Sequence, residues 1–266
     1  MKKYENLKQF IKQYKSAVIA FSGGVDSTFL AKVTIDVLGR DNVLLVTATS
    51  STYPQTEFNE AKKIAEQFNA QHKIVESEET EIDGFADNPP NRCYYCKLEL
   101  YNIMNSIKKG KYDVVFDGSN FDDLDDYRPG KQALKETEAV SPLLEAKMTK
   151  DEIRIISKEL NLVTANKPAF ACLASRFPYG EKITQEKLGR VEKAEDALRA
   201  LGFIHFRVRS HDNLARIEFG KNDIDSGWEK RIEINKVCKD SGFTYVSIDT
   251  IGYRMGAMNE SLFGNV

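Results

Sequence analysis

The chain has 266 residues, 41% of them hydrophobic and 29% charged, with a net charge of −2. That length holds one large domain, or a main domain with a smaller companion, and the composition excludes a disordered or fibrous chain. The charge supplies no basic field for nucleic acid, no apolar run reaches a membrane span, and the Met1-Lys2-Lys3 start reads as a polar helix and not a secretory leader, so a cytoplasmic protein with neither nucleic-acid nor membrane partner is expected.

Strand and helix patterns alternate through the first half. "SAVIAF" (16–21) is a short apolar run ending in glycines, and the helical "STFLAKVTIDVLG" follows. "NVLLVTAT" (42–49) is the next strand, and the helix 54–70 starts with proline in its first turn. "HKIVES" (72–77) and "YDVVFDGS" (112–119) are the third and fourth strands, with the helix "CYYCKLELYNIMNSIKK" between them. Repeated β-α-β units predict an α/β fold with a parallel sheet and helices on both faces.

Beyond residue 145 the pattern changes. "TKDEIRIISKELNL" reads as a capped helix, and residues 166–184, "NKPAFACLASRFPYGEKIT", carry almost no periodicity. An irregular stretch of that length, too aromatic for disorder, reads as functional. From 186 a long amphipathic helix leads to the strands "HFRVRS" and "LARIEF", a helix over 222–241 and the strand "TYVSID". The expected organisation is a main domain over 1–145, a connecting helix and active-site loop over 146–184, and a small α/β domain over 185–266.

"AFSGGVDSTFL" falls where the first strand turns into the first β-linked helix. Ser22, Gly23 and Gly24 allow close backbone approach to a polyphosphate, amides of the helix start point at the anion, and Ser27 and Thr28 add hydroxyl donors. The Gly-Lys-Ser/Thr ending of a Walker loop is missing. Asp26 beside several phosphates needs a cation between, as Mg²⁺ supplies; it also suits a helix start. "FDGSNFDDLDDYRPG" (116–130) ends the fourth strand, where open α/β sheets bind ligands. Its Asp122, Asp123, Asp125 and Asp126 cluster beside Arg128, a metal-binding or substrate-orienting group, or a solvated acidic loop.

Cys93 and Cys96 lie two residues apart, Cys172 follows in the irregular loop, and Cys238 sits on the apolar side of a helix, where packing is its expected role. A reducing compartment disfavours a disulfide. A redox pair, a zinc site and cluster ligation remain open for the other three cysteines, and the histidines, His72, His205 and His211, lie away from them in sequence. Arg207 and Arg209 alternate on one strand and so share a face, suited to a phosphate monoester or to an exposed charged edge.

SGGVDS resembles the PP-loop of the N-type ATP pyrophosphatases, which cleave ATP between the α and β phosphates. The resemblance implies that Ser22, Gly23, Gly24, Ser27 and Thr28 cradle the pyrophosphate. It also implies that Gly118, Ser119 and Asn120 line the nucleotide, and that Asp26, with Asp123, holds Mg²⁺. Ammonia-using members bring a glutaminase or borrow one, and this chain has no room for it, so a sulfur user is expected. "GSNFDDLDDYRPG", "KPAFACLASRFPYGEKIT", "RVRSHDNLARIEF" and "YRMGAMN" together are similar to the LarE family over almost the whole chain. Those enzymes are ATP-dependent sulfur transferases of nickel-pincer nucleotide cofactor biosynthesis. They adenylate a carboxylate of pyridinium-3,5-dicarboxylate mononucleotide and convert it to a thiocarboxylate.

One form of the family sacrifices the sulfur of a single cysteine at the position of Cys172, leaving dehydroalanine. The other has three cysteines and a [4Fe-4S] cluster that carries an extra sulfide, and Cys93, Cys96 and Cys172 match that form. By the same resemblance, Ser175, Arg176, Arg207, Arg209 and Glu218 form the substrate phosphate pocket. The implied partners are the mononucleotide, a sulfide donor, other enzymes of the nickel-pincer pathway and further copies of the chain. A tRNA thiolase, which pairs a PP-loop with cluster cysteines, and a non-catalytic ATP sensor are the competing readings.

Overall fold

The computed structural model describes residues 2–77, 79–124, 130–168, 171–254 and 256–257, and only the backbone of Lys131. Asp125, Asp126, Arg128 and the motif residues Met255, Met258 and Asn259 lie outside the described residues. The chain divides into two compact units, Met1–Ile82 with Pro90–Phe170, and Asp83–Pro89 with Ala171–Val266.

The first unit is built on β1 (Ala17–Ala20), β2 (Val43–Thr49), β3 (Gln71–Glu76) and β4 (Val114–Phe116), in the order β3-β2-β1-β4 and parallel throughout. Side chains alternate across a strand, and here both faces are buried. Ala17, Ile19, Val43, Leu45, Val114 and Phe116 join one apolar cluster. It includes Leu7 of α1 (Lys2–Ile11), Phe29 and Val33 of α2 (Val25–Leu38), Ile64 of α3 (Gln55–Gln67) and Ile153 further along the chain. Val18, Leu44, Val46 and Val115 join the other, with Tyr101 and Met104 of α4 (Arg92–Lys108) and Ala133 of α5 (Gly130–Glu136). Two buried faces are the reason the strands read as continuous apolar runs. β3 is the exception: it is an edge strand with exposed Gln71, Lys73 and Glu76.

The short helix α6 (Pro142–Glu145) and α7 (Lys150–Glu159) complete the unit. Thr149 starts α7 through a reciprocal capping box, its side chain accepting from the Glu152 amide while Glu152 accepts from the Thr149 amide at 2.9 Å.

The second unit carries α8 (Gln185–Ala200) and the three-stranded sheet β5 (Phe206–His211), β6 (Leu214–Phe219) and β7 (Tyr245–Ile248). β5 pairs antiparallel with β6, and β6 parallel with β7. The expected single helix over 222–241 is two, α9 (Ile224–Glu229) and α10 (Arg231–Asp240), because Lys230 at φ −85° and ψ 14° leaves helical geometry. Residues 83–89 join this unit through hydrogen bonds: Asn88 Nδ2 donates to the carbonyls of Phe177 and Pro178, and the Ile183 amide to Ala86. Cys238 is fully buried in this unit and burial pushes its thiol up to about 12, in keeping with packing.

Its interior holds a charged pair. Arg176, 2% exposed, meets Glu195 of α8, 1% exposed, in a two-pronged contact at 2.9 and 3.0 Å. The Val208 amide also donates to Glu195, at 3.2 Å. Removing one partner of such a pair strands the other charge in the core. Glu195→Ala is therefore expected to lower unfolding free energy by about 3–5 kcal/mol, measured by urea denaturation. The double change Arg176→Met with Glu195→Leu should recover most of that loss.

Candidate active site

The turn from β1 into α2 places Ser22, Gly23 and Gly24 at the carboxyl end of the sheet, with the N-terminus of α2 behind them. Gly23 adopts φ +61°, and a Cβ there would lie 2.9 Å from both Cα and Cβ of Ala61 in α3. Both the left-handed backbone and the close helix demand glycine. Ser27 Oγ accepts from the Ser22 amide at 3.3 Å and lies 3.1 Å from Ser22 Oγ, which holds the loop closed on the helix start. The hydroxyl of Thr28 is buried and has no hydrogen-bond partner among the described residues. Tyr53 braces the loop from outside, its hydroxyl donating to the Ser22 carbonyl at 2.8 Å.

A second turn lies against the first. The backbone of Gly118 packs so near the start of α2 that a Cβ would come within 3.3 Å of the Ser27 amide nitrogen. Asn120 Nδ2 donates to Asp26 Oδ1 at 3.3 Å, and the Asn120 amide donates to Asp123 Oδ2 at 3.0 Å. Asp122 accepts from the Lys150 amide at 2.8 Å, and Lys150 Nζ is paired with the second oxygen of Asp26. Asp26, Asn120 and Asp123 are thus linked in one hydrogen-bonded group beside the loop. Oxygen donors of this kind suit Mg²⁺, which takes one or two carboxylates and completes its shell from phosphate and water.

Asp117 underpins that turn. It accepts from Tyr101 at 2.6 Å, the Ser119 amide at 2.8 Å, Lys97 at 3.2 Å and Ser141 at 3.2 Å, and from the Ser119 hydroxyl. Burial alone would raise its carboxyl, but the Lys97 charge and these donors outweigh burial and hold it well below the usual carboxylate range. On the other side of the loop Lys167 reaches the Gly23 carbonyl at 3.2 Å, and Glu57 and Glu60 at 2.7 and 2.6 Å. None of Asp117, Lys97, Lys150 or Lys167 was singled out in the sequence. Asp117 stood inside the quoted "FDGSN", and Lys167 inside "NKPAF", but neither had a spacing that marked it.

Cys93 and Cys96 occupy the first turns of α4, one exposed and one half-buried. Cys96 Sγ lies 3.6 Å from Oε1 of Glu79, a buried acid that sequence reasoning passed over. Burial raises the Glu79 carboxyl against the hydrogen bonds of Ser50, Thr52 and Cys96. Cys172 belongs to the second unit, where it is half-buried and its carbonyl accepts from the Ser175 amide at 3.0 Å and the Ser175 hydroxyl at 2.8 Å. Among the described residues, no group of three His, Cys, Asp or Glu side chains that could hold a metal ion is present.

The arginines of the second unit differ in their commitments. Arg176 binds Glu195 and also donates to the carbonyls of Ala171 and Cys172 at 2.6 and 3.0 Å, so it holds the Cys172 loop to α8. Arg209, buried, pairs with Glu218 at 2.8 Å and donates to the Ser175 carbonyl at 2.8 Å. Arg207 stands opposite Glu218 in the β5–β6 register, donates to the Phe206 carbonyl at 2.7 Å and lies over the Tyr253 ring at 5.1 Å. Burial, then the nearby charge of Arg176, lowers the pKa of Arg207.

Known proteins resemble this chain over part or nearly all of its length. Residues 2–87 match the family model described as NAD synthase. An uncharacterised protein of Synechocystis sp. is 45% identical over 263 residues, 98% of each chain. The pyridinium-3,5-bisthiocarboxylic acid mononucleotide synthase of Lactiplantibacillus plantarum is 38% identical over 253 residues, 95% of this chain and 92% of the relative. An NH(3)-dependent NAD(+) synthetase of Methanococcoides burtonii is 33% identical over 61 residues, 23% of each chain. The last likeness is confined to part of the chain, whereas the synthase matches across both units: the chain belongs to the LarE family within the PP-loop superfamily.

Proposed function

We propose that this protein is an ATP-dependent sulfur transferase that adenylates a carboxylate of pyridinium-3,5-dicarboxylate mononucleotide and converts it to a thiocarboxylate. The observation that carries the reading is the left-handed Gly23 turn with Asp26 and Asn120 beside it, in a chain 38% identical to a synthase of the bisthiocarboxylic acid mononucleotide.

In the first step a carboxylate oxygen of the substrate attacks the α-phosphorus of ATP, the bond to the β-phosphate oxygen breaks, and pyrophosphate leaves. The loop amides, the start of α2 and the hydroxyls of Ser22, Ser27 and Thr28 would take up the negative charge that gathers on the departing group. Asp26 and Asp123 would hold Mg²⁺, which neutralises polyphosphate charge. In the second step a sulfur nucleophile attacks the activated carbonyl carbon and the bond to AMP breaks. AMP is a far better leaving group than oxide, which is the chemical reason for using ATP. Arg207 and Arg209 would bind the phosphate of the mononucleotide as charge-assisted donors, with Ser175, Arg176 and Glu218 fixing their loop and strand.

Cys93, Cys96 and Cys172 are assigned to the sulfur supply. Three thiolates suit a [4Fe-4S] cluster with one open iron, which would present inorganic sulfide. The protein is read as cytoplasmic and homo-oligomeric, working with other enzymes of the nickel-pincer pathway. No helix among the described residues is long and apolar enough to cross a membrane.

Asp26→Asn should abolish pyrophosphate release while the fold persists by circular dichroism; continued release with the dicarboxylate substrate would remove the chain from the ATP pyrophosphatases. Arg207→Ala should weaken binding of the phosphorylated substrate by about 1.5–3 kcal/mol and leave ATP binding unchanged, both read by calorimetry. Equal loss of ATP affinity would assign the strand to the nucleotide instead. Replacing any one of Cys93, Cys96 or Cys172 with Ala should end sulfur transfer but not pyrophosphate release. If Cys172 were instead consumed, Cys93→Ala and Cys96→Ala would stay active, and the intact mass of the unaltered chain would fall once, by about 34 Da after one turnover, as H₂S is lost. Tight binding of bulk tRNA at physiological salt would favour the tRNA thiolase.

A further inference from the structure

Asp26 already has a cation. One of its oxygens accepts from Asn120 and the other is paired with Lys150 Nζ, from a residue 124 positions later in the chain. Lys150 is the first residue of α7, and its backbone is anchored independently of its side chain. Thr149 and Glu152 cap the helix, and the Lys150 amide donates to Asp122 at 2.8 Å. The ammonium can therefore leave Asp26 without unravelling α7. The pair is half-buried, with side-chain exposures of 28% and 22%. It keeps contact with solvent, so its partners can exchange, and its position at the nucleotide loop calls for a reason beyond stability.

The reason lies in what Asp26 must do. A bare carboxylate at the mouth of a polyphosphate cradle would repel ATP, and an ammonium standing on it cancels that repulsion. Mg²⁺ gives up its water reluctantly and is held well only when a carboxylate and phosphate oxygens act together. Mg²⁺ arriving alone must compete with Lys150, whereas Mg²⁺ arriving with ATP brings the remaining ligands. The displaced ammonium, on its flexible four-carbon stem, can then pair with a phosphate oxygen.

We propose that Lys150 is a counter-ion with two stations: it neutralises Asp26 before the nucleotide binds, and moves to the phosphate oxygens when Mg²⁺ enters with ATP. Lys150 thereby couples metal and nucleotide binding, and disfavours metal without nucleotide. This deepens the adenylation reading and rests on it.

The test uses Mn²⁺ as a paramagnetic stand-in for Mg²⁺, with free Mn²⁺ counted by electron paramagnetic resonance in the absence of nucleotide. Lys150→Met should bind Mn²⁺ about tenfold more tightly than the unaltered chain, and should bind α,β-methylene-ATP at saturating Mg²⁺ about tenfold more weakly. Lys150→Arg, which keeps the charge, should stay near the unaltered chain in both measurements, and Asp26→Asn should remove the Mn²⁺ site in either background. Thermal unfolding of Lys150→Met should be nearly unchanged. Unaltered Mn²⁺ affinity in Lys150→Met, with Asp26→Asn still removing the site, would overturn the counter-ion role and leave the adenylation reading intact. A lowered melting temperature without a gain in Mn²⁺ affinity would do the same, by showing a plain structural tie. If Asp26→Asn changed neither Mn²⁺ binding nor pyrophosphate release, the adenylation reading itself would fall, and the counter-ion role with it.

Discussion

The nucleotide loop depends on the absence of one carbon atom. Gly23 turns the chain at φ +61° with Ala61 of α3 lying where a Cβ would project. This contact lets α3 pack directly beneath the loop, and the packing in turn holds the turn between β1 and α2 in one shape. Pre-set amides cost no reorganisation when charge develops on a phosphate, which gives such a turn its value for phosphoryl chemistry. Gly118 repeats the device at the neighbouring turn, with its backbone close to the Ser27 amide. The two turns come from adjacent strands, β1 and β4, so the parallel sheet itself sets their separation.

Around this cradle the charges are arranged in opposed pairs. Asp26 faces Lys150, Asp117 faces Lys97, and Lys167 faces Glu57 and Glu60. The pairs at Asp117 and Lys167 tie a loop to a helix, the pair at Asp26 ties the start of α2 to the start of α7, and each lies at the carboxyl end of the sheet or beside the loop. Asp117 is the best satisfied, with five donors, and it shapes the 118–120 turn from below. The Asp26 side chain is more open to solvent than that of Asp117, at 22% against 8% exposure.

The second unit solves a different problem, the placing of an irregular loop that bears a cysteine. Arg176 holds the loop carbonyls of Ala171 and Cys172 with one nitrogen and Glu195 of α8 with the others. Arg209 does the same from the sheet, gripping Glu218 and the Ser175 carbonyl. Leu173, Ala174, Phe177 and Ile183 bury the apolar side of this loop, and buried guanidinium groups, whose planar forks satisfy several acceptors at once, fasten its carbonyls. Arg207 shares β5 with Arg209, yet the two differ: Arg209 is committed to Glu218 and the Ser175 carbonyl, whereas Arg207 donates to the Phe206 carbonyl and lies over the Tyr253 ring.

The amino-acid sequence by itself determined the parallel α/β sheet, the strand-to-helix loop of SGGVDS and the family resemblance. Apolar runs, glycine placement and short motifs are local quantities, and a strand buried on both faces announces itself by composition alone. The break at Lys230 was not legible, because the helical pattern runs on through it and only the backbone angles depart. Tertiary structure alone decided which charges meet. Lys150 and Lys167 come to the loop from 124 and 144 positions away, and Glu79 reaches Cys96 across 17. A lysine or glutamate on a polar stretch looks the same whether it faces water or a partner from a distant part of the chain. The difference is made by the fold, which brings the ends of separate strands and helices to one edge of the sheet.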